Sequence, residues 1–155
     1  MNIRTHGGYS TVFPQANDIY RVYNLCISLR SGIKEYKKLL LEIGVGAIRQ
    51  LHYYFSASEY LGLTDKNKKL TSYGSFIFSQ DKNTILELLC YTVLSVDVFA
   101  NYYVTRNKNL CIEFMKTNYD ISKTTLPRRF STLKQWVVWC DIIIQDFELS
   151  VIFED

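Results

Sequence analysis

Arginine and hydroxyl side chains are concentrated in one stretch near the C-terminus, TLPRRFSTLKQWVVWC at residues 125–140. Arginine, lysine, glutamine, serine and threonine are the side chains that contact phosphates and base edges in DNA complexes. A helix in the major groove makes these contacts from its first turns, and a helix N-terminus favours an anion. The stretch therefore predicts a DNA-binding helix, with candidate contacts at Lys123, Thr124, Arg128, Arg129, Ser131, Thr132 and Gln135.

The spacing of apolar residues predicts how this helix is oriented. Hydroxyl residues at 122, 124 and 125 are N-cap candidates and Pro127 suits a first helical turn, so we expect the helix to begin near Thr125. One apolar line should face the core, with the candidate contacts on the other side: Leu126, Phe130, Leu133, Val137 and Cys140. Trp139 falls outside that line, so we expect another part of the chain or a second chain to cover it.

A second helix with the same plan is predicted at residues 46–61. Ile48, Leu51, Phe55 and Ser58 share its core side, while the opposite side carries three candidate DNA contacts, Arg49, Gln50 and Tyr53. A shorter helix that ends at Gly44 precedes it, which is typical of a helix-turn-helix. The segment 63–71 then has the pattern of a hairpin wing, with candidate phosphate contacts at Lys66, Lys68 and Lys69.

The second half repeats this order loosely. Helices are predicted at 84–96, 98–104 and 107–120, and they are followed by the basic helix and by two β-rich runs within 141–155. Residues 1–15 predict an irregular or strand-like arm. We therefore expect a mainly α fold with short β-hairpin wings (α+β), in which two winged helix-turn-helix modules, residues 1–80 and 81–155, pack together.

Catalytic residues are hard to find in the sequence. Glu35 and Lys37 have the Glu-x-Lys spacing of metal-dependent nucleases, but they lie in a segment of helical period. Asp146 and Glu148 lack a following lysine, and His52 is expected near the buried edge of its helix as a structural residue. We expect no enzyme activity and no cofactor.

Other compositional features narrow the class of protein. The four cysteines, at 26, 90, 111 and 140, form no CxxC pair, so free thiols in apolar helices are favoured over a zinc site. No apolar run reaches the roughly 18 residues that span a bilayer, and the first residues lack the apolar block of a signal peptide. A cytoplasmic protein without a membrane partner is expected.

The net charge of +3 assists DNA binding only weakly. An ordinary solvated surface is therefore the alternative interpretation of each basic helix.

Two stretches carry a resemblance to a known class. AIRQLHYYFSASEYLGLTDKNKKLTSYG and TLPRRFSTLKQWVVWC resemble the tandem winged-helix DNA-binding modules of bacterial restriction-modification and related defence proteins. The matching positions are Arg49, Gln50, Tyr53, Tyr54, Leu61, Gly62, Leu70, Thr71 and Gly74 in the first, and Arg128, Arg129, Ser131, Thr132, Trp136 and Trp139 in the second. The resemblance implies a tandem winged-helix fold, DNA binding, and a nuclease on the same or a neighbouring chain.

Three functions are consistent with these features. The first is non-catalytic binding of double-stranded DNA, directed by sequence or structure, in restriction-modification or anti-phage defence. The second is a protein-interaction adaptor of a nuclease or defence complex. The third is a DNA binder similar to plasmid replication initiators. A nuclease or methyltransferase subunit and a second copy of the chain are further candidate partners.

Overall fold

The protein is described by a computed structural model for residues 14–153, with side chains described as far as Glu148. This part of the chain folds into eight helices: α1 (Ile19–Arg30), α2 (Tyr36–Ile43), α3 (Ile48–Tyr60), α4 (Ser72–Phe78), α5 (Lys82–Leu94), α6 (Asp97–Thr105), α7 (Lys108–Asn118) and α8 (Leu126–Phe153). The helices that the sequence predicted between residues 17 and 140 are present within a few residues of their expected bounds.

The expected α+β class with hairpin wings is wrong. Residues 14–153 contain no β-strand, and the first predicted wing is an isolated antiparallel bridge between Thr64 and Leu70. The chain cannot extend this bridge because Thr71 accepts a hydrogen bond from the Gly74 amide at 3.0 Å and caps α4. A helix therefore occupies the place where the second strand of a wing would continue.

The second predicted wing is also wrong. Residues 141–153, which the β-branched run around Ile142–Ile144 assigned to strands, continue α8 without a break. Ile143 and Ile144 pack against the core, and α8 lies along α5. Burial of an apolar helix face here outweighs the intrinsic β preference of isoleucine. Residues 154 and 155 lie outside the described part.

Helices α1 to α4 form the first half of the fold, where α1 packs on α2, α3 and α4. The turn between α2 and α3 is set by Gly44, whose φ of 72° lies in the left-handed region. The Val45 amide donates to the Leu40 carbonyl at 3.0 Å, which closes α2 in the manner of a Schellman motif. This tight turn brings α3 back across α1 and leaves its first turns exposed.

Helices α5 to α8 form the second half. Helix α5 packs on α8 and also on α4, while α6 packs on α7 and α8. Arg106, at the end of α6, forms a bidentate ion pair with Asp141 of α8, with both nitrogen–oxygen distances at 2.6 Å. The pair fixes the middle of α8 against the α6–α7 corner.

A single core cluster contains residues from both halves. Tyr60 of α3 lies 6.3 Å from Phe99 of α6, centroid to centroid, and Phe99 stacks on Trp136 of α8 at 5.3 Å. All four cysteines are free and buried, which confirms the expectation of free thiols in apolar helices. The division into domains 1–80 and 81–155 stays a prediction.

Candidate nucleic-acid interface

Helix α3 exposes two of the three predicted polar contacts, but the expected core side is wrong at Ile48, which is 49% exposed. Leu51, Phe55 and Ser58 are buried, whereas Arg49 and Gln50 are exposed. The Arg49 Nε donates a 2.7 Å hydrogen bond to the Tyr53 hydroxyl, and its guanidinium carbon lies 5.6 Å from the Tyr53 ring centroid. The arginine is therefore held along the outer surface of the helix, with part of its guanidinium still available.

Gln50 has a local structural contact. Its side-chain oxygen accepts a 3.0 Å hydrogen bond from the Gly46 amide in the turn before α3. Gly46 lies in the turn that precedes α3, so this hydrogen bond from its amide to Gln50 stabilises the N-terminus of the helix. The expectation that it contacts DNA stays a prediction, but contact through its oxygen would require this bond to break.

Helix α8 confirms the predicted apolar line and exposes most of the predicted contacts. Leu126, Phe130, Leu133, Val137 and Cys140 are all buried. Arg128, Ser131 and Gln135 are exposed and lie three and four residues apart, so they share one side of the helix. Lys123 and Thr124 are exposed in the segment before the helix, where the Ser122 hydroxyl lies 3.2 Å from that of Thr124.

Arg129 lies beside Arg128 on α8 and is half-buried. Burial lowers the pKa of its guanidinium below the ordinary value, and the neighbouring charge of Arg128 lowers that pKa further. The Tyr53 side chain of α3 acts in the opposite direction and raises this pKa. With its amide oxygen turned toward the guanidinium, Gln15 accepts hydrogen bonds from both terminal nitrogens of Arg129, at 2.8 and 2.9 Å.

We call this surface the α3–α8 basic face and define it as Arg49, Tyr53, Arg128, Arg129, Ser131 and Gln135. Its two source segments, residues 43–58 and 121–140, contain no aspartate or glutamate. In the described part of the chain, neither Arg49 nor Arg128 forms an ion pair with a carboxylate. The face is therefore a local excess of positive charge on a protein whose net charge is only +3.

Thr132 is not part of this face, and its expected exposure is wrong. The residue is 2% exposed, and its hydroxyl donates to the Asn17 side-chain oxygen at 2.6 Å. Trp136 is fully buried and donates from Nε1 to the Ala16 carbonyl at 2.8 Å. Both acceptors lie in the extended segment 14–18. The helical spacing of apolar residues in α8 gives no indication that this segment packs against the helix.

The same segment also contacts α3. The Asp18 amide donates to the Tyr54 hydroxyl at 3.4 Å, so residues 16–18 bond to both basic helices. Further along α8, Trp139 is half-buried with Tyr20 of α1 against it, edge to face at 6.2 Å. This contact confirms that another part of the chain covers Trp139. The predicted arm at residues 1–13 lies outside the described residues.

The loop lysines belong to a different part of the surface. Lys66 and Lys69 are exposed, while the Lys68 ammonium lies 5.8 Å from the Phe55 ring centroid. Phe55 follows Tyr53 by two residues, which is about 200° around α3. Lys68 is therefore directed toward the side of α3 that faces away from Tyr53, and the structure does not bring it into the α3–α8 basic face.

The acidic candidates for catalysis are dispersed. Glu35 lies 3.9 Å from Lys38 at the exposed start of α2, while Asp146 and Glu148 are exposed on α8. His52 is exposed, contrary to the expected buried edge, and contacts the Tyr36 ring edge to face at 5.8 Å. Within residues 14–153 no group of three or more histidine, cysteine or acidic side chains could hold a metal ion. In the same range no helix has the length and apolar character to cross a membrane.

Together these observations define the class: over its described residues, the protein is all-helical, and one extended segment bonds to two helices, α3 and α8, whose first turns carry arginine and no carboxylate. The chain belongs to the family described as Domain of unknown function (DUF7226), whose profile matches residues 21–145. No curated protein and no solved structure matches the chain. The family match covers α2 to α7 and all of the α3–α8 basic face; it begins within α1 and ends within α8.

Proposed function

We propose that the protein binds double-stranded DNA through the α3–α8 basic face. The observation that carries this proposal is the placement of Arg128 and Arg129, two adjacent cations of which one is half-buried, in a segment without carboxylates. Burial and the neighbouring charge of Arg128 both disfavour the charged form of Arg129 and lower its pKa. A phosphate diester offsets both effects by pairing with the guanidinium groups.

The remaining members of the face suit the same ligand. Ser131 and Gln135 are exposed on the side of α8 that carries Arg128, and both can donate to phosphate oxygens or base edges. Arg49 projects from α3 with only the Tyr53 hydroxyl as its hydrogen-bond partner among described residues. The N-terminus of α8 adds a favourable dipole for an anion beside Arg128.

Salt-dependent binding of a random duplex tests this function. We expect binding at low ionic strength with a steep dependence on salt, because phosphate contacts release counterions. Arg49→Ala and Arg128→Ala should each weaken binding and reduce the salt slope by about 1. Both side chains are exposed, so these variants should keep the native fold, which circular dichroism would verify.

Lys82→Ala is the matched control, since it removes one exposed charge from the start of α5. Lys82 lines a cavity together with Asp146, which lies 18 residues beyond Arg128 and therefore about 27 Å from it along α8. The control should bind duplex as the unchanged protein does. Absence of binding at low salt, or equal weakening by Lys82→Ala, would disprove a specific role for the basic face.

A second candidate function is docking on another protein. Val138 and Ile142, four residues apart on α8, are 44% and 52% exposed, so they form an apolar strip on an otherwise packed helix. Val138→Asp with Ile142→Asp should then abolish co-purification of a partner subunit while leaving duplex binding unchanged. A role in restriction-modification or defence, and the absence of catalysis, stay predictions.

A further inference from the structure

A cavity of about 440 Å³ opens on the side of the first half that Lys68 faces. Its walls come from the end of α1, the turn after it, the start of α2, Phe55 of α3, the loop between α3 and α4, and Ser75 of α4. The volume lies within the range of small-molecule sites in proteins, which is about 300–1,000 Å³. The cavity is therefore large enough to hold a small molecule.

The charge of the lining is uniformly positive. Four cations line the cavity, Arg30, Lys34, Lys68 and Lys69, and no carboxylate does. Within the described residues none of the four forms an ion pair. The neighbouring acids are engaged elsewhere, because Glu35 lies beside Lys38 and Asp65 accepts from two loop amides.

The loop that supplies two of these cations holds a strained residue. Lys68 has a φ of 63°, a left-handed conformation that is uncommon for residues other than glycine. Hydrogen bonds fix it there: the Asp65 carboxylate accepts from the Asn67 and Lys69 amides at 2.8 and 3.1 Å, and the Asp65 amide donates to the Lys69 carbonyl at 2.8 Å. Backbone strain of this kind is concentrated at ligand sites. Here it directs the Lys68 ammonium over Phe55.

The remaining walls are apolar and aromatic. Phe55 is buried at one side, and the Tyr36 ring, 38% exposed, lies 6.4 Å from it, centroid to centroid. Leu29, Ile33 and Leu70 complete this surface. The cavity thus joins a cationic rim to an apolar wall that includes an accessible ring, and this combination fits a ligand with an anionic end and a flat, apolar end.

We propose that this cavity binds a small molecule that joins a phosphate to an aromatic ring, of the size of a mononucleotide. Arg30, Lys34, Lys68 and Lys69 hold the phosphate, and the ring lies against Tyr36 and Phe55. The site is separate from the proposed DNA interface, because it faces the opposite side of α3 from Tyr53. It therefore goes beyond the proposed function and does not depend on it.

Calorimetric titration with adenosine monophosphate tests the site. We expect saturable binding at low salt, weaker binding of inorganic phosphate, and weaker binding of adenosine. Lys68→Gly removes the ammonium and also relieves the left-handed strain, so it should be at least as stable as the unchanged protein and yet bind about tenfold more weakly. Lys34→Gln should weaken binding to a similar extent.

Lys66→Gln is the matched control, because Lys66 is exposed in the same loop and does not line the cavity. It should bind the nucleotide within twofold of the unchanged protein. Absence of nucleotide binding at millimolar concentration would overturn the proposal. It would also be overturned if adenosine bound as tightly as the nucleotide, or if Lys66→Gln weakened binding as much as Lys68→Gly.

Cross-measurements separate this site from the DNA interface. Arg128→Ala should leave nucleotide binding unchanged, and Lys68→Gly should leave duplex binding unchanged. If Lys68→Gly weakened both, the cavity would be part of the DNA-binding surface and the proposal of a separate site would fail. Failure of duplex binding alone would remove the proposed function and leave the nucleotide site intact.

Discussion

The Thr132 hydroxyl donates a 2.6 Å hydrogen bond to the Asn17 side-chain oxygen, joining α8 to a segment 115 residues earlier in the chain. Thr132 lies between the exposed Ser131 and the buried Leu133, and sequence alone assigned it to the DNA-binding side. The bond makes it a packing residue. It also shows that the segment before α1 covers a position of α8 that helical spacing assigned to the exposed side.

Thr132→Val should destabilise the protein and leave DNA binding unchanged. The replacement keeps the shape of the side chain but removes the hydroxyl, so the Asn17 oxygen loses its donor, at a cost of about 1 kcal/mol in the free energy of unfolding. Chemical denaturation would measure this loss, and duplex titration of the folded protein would measure binding. Ser131→Ala is the comparison, because it should weaken duplex binding with little change in stability. If Thr132→Val weakened binding without destabilising the fold, Thr132 would have to face the nucleic acid.

Gly74→Ala should destabilise the protein, although alanine normally favours a helix. A Cβ at position 74 would collide with the backbone carbonyl oxygen of Leu63, a fully buried residue before the bridge. Because backbone cannot move aside as a side chain can, we expect a loss of about 1–3 kcal/mol. The measurement is the midpoint of urea unfolding.

Gly46→Ala is the control for this substitution. No heavy atom lies within 4 Å of a Cβ built at position 46, and its φ is not in the left-handed region. Alanine there should be neutral or stabilising by less than about 1 kcal/mol. If the two variants had the same stability, the close approach of α4 to Leu63 would not be a constraint on the fold.

The cysteines should resist labelling in the native state. All four are buried, and burial raises the pKa of the Cys26 and Cys111 thiols to about 12. Since only the thiolate reacts, these thiols stay neutral and unreactive at pH 8. A disulfide reagent should therefore modify the native protein only at the rate at which its packed helices open. After denaturation it should modify all four thiols. Ser131→Cys, at an exposed position, should react at once, and equally rapid labelling of a native cysteine would contradict the burial of its helix.

The sequence predicted the helices well because their apolar residues recur at helical spacing. Leu126 to Cys140 is the clearest case, since every residue of the predicted apolar line is buried. Arg49, Arg128 and Ser131 were correctly placed on the exposed side for the same reason. Their DNA contacts stay predictions, because the spacing of apolar residues indicates which side chains are exposed but not what binds to them.

The errors have a common origin in long-range packing. Residues 141–153 were assigned to strands from their isoleucines, but α5 offers an apolar surface that a helix covers. Residues 63–71 were assigned to a wing, but Thr71 caps a helix immediately afterwards. The electrostatic effect of Tyr53 on Arg129, and the cavity beside Phe55, depend on how distant segments pack together, which no local sequence pattern indicates.

The extended segment before α1 sets the minimal length of a folded fragment. The family match begins at residue 21, two residues after the start of α1. A protein trimmed to that match would lose the Ala16 carbonyl that accepts from Trp136, the Asn17 side chain that accepts from Thr132, and the N-cap of α1. It would also expose the side of α8 on which the fully buried Trp136 lies. Expression of this domain should therefore start no later than residue 14.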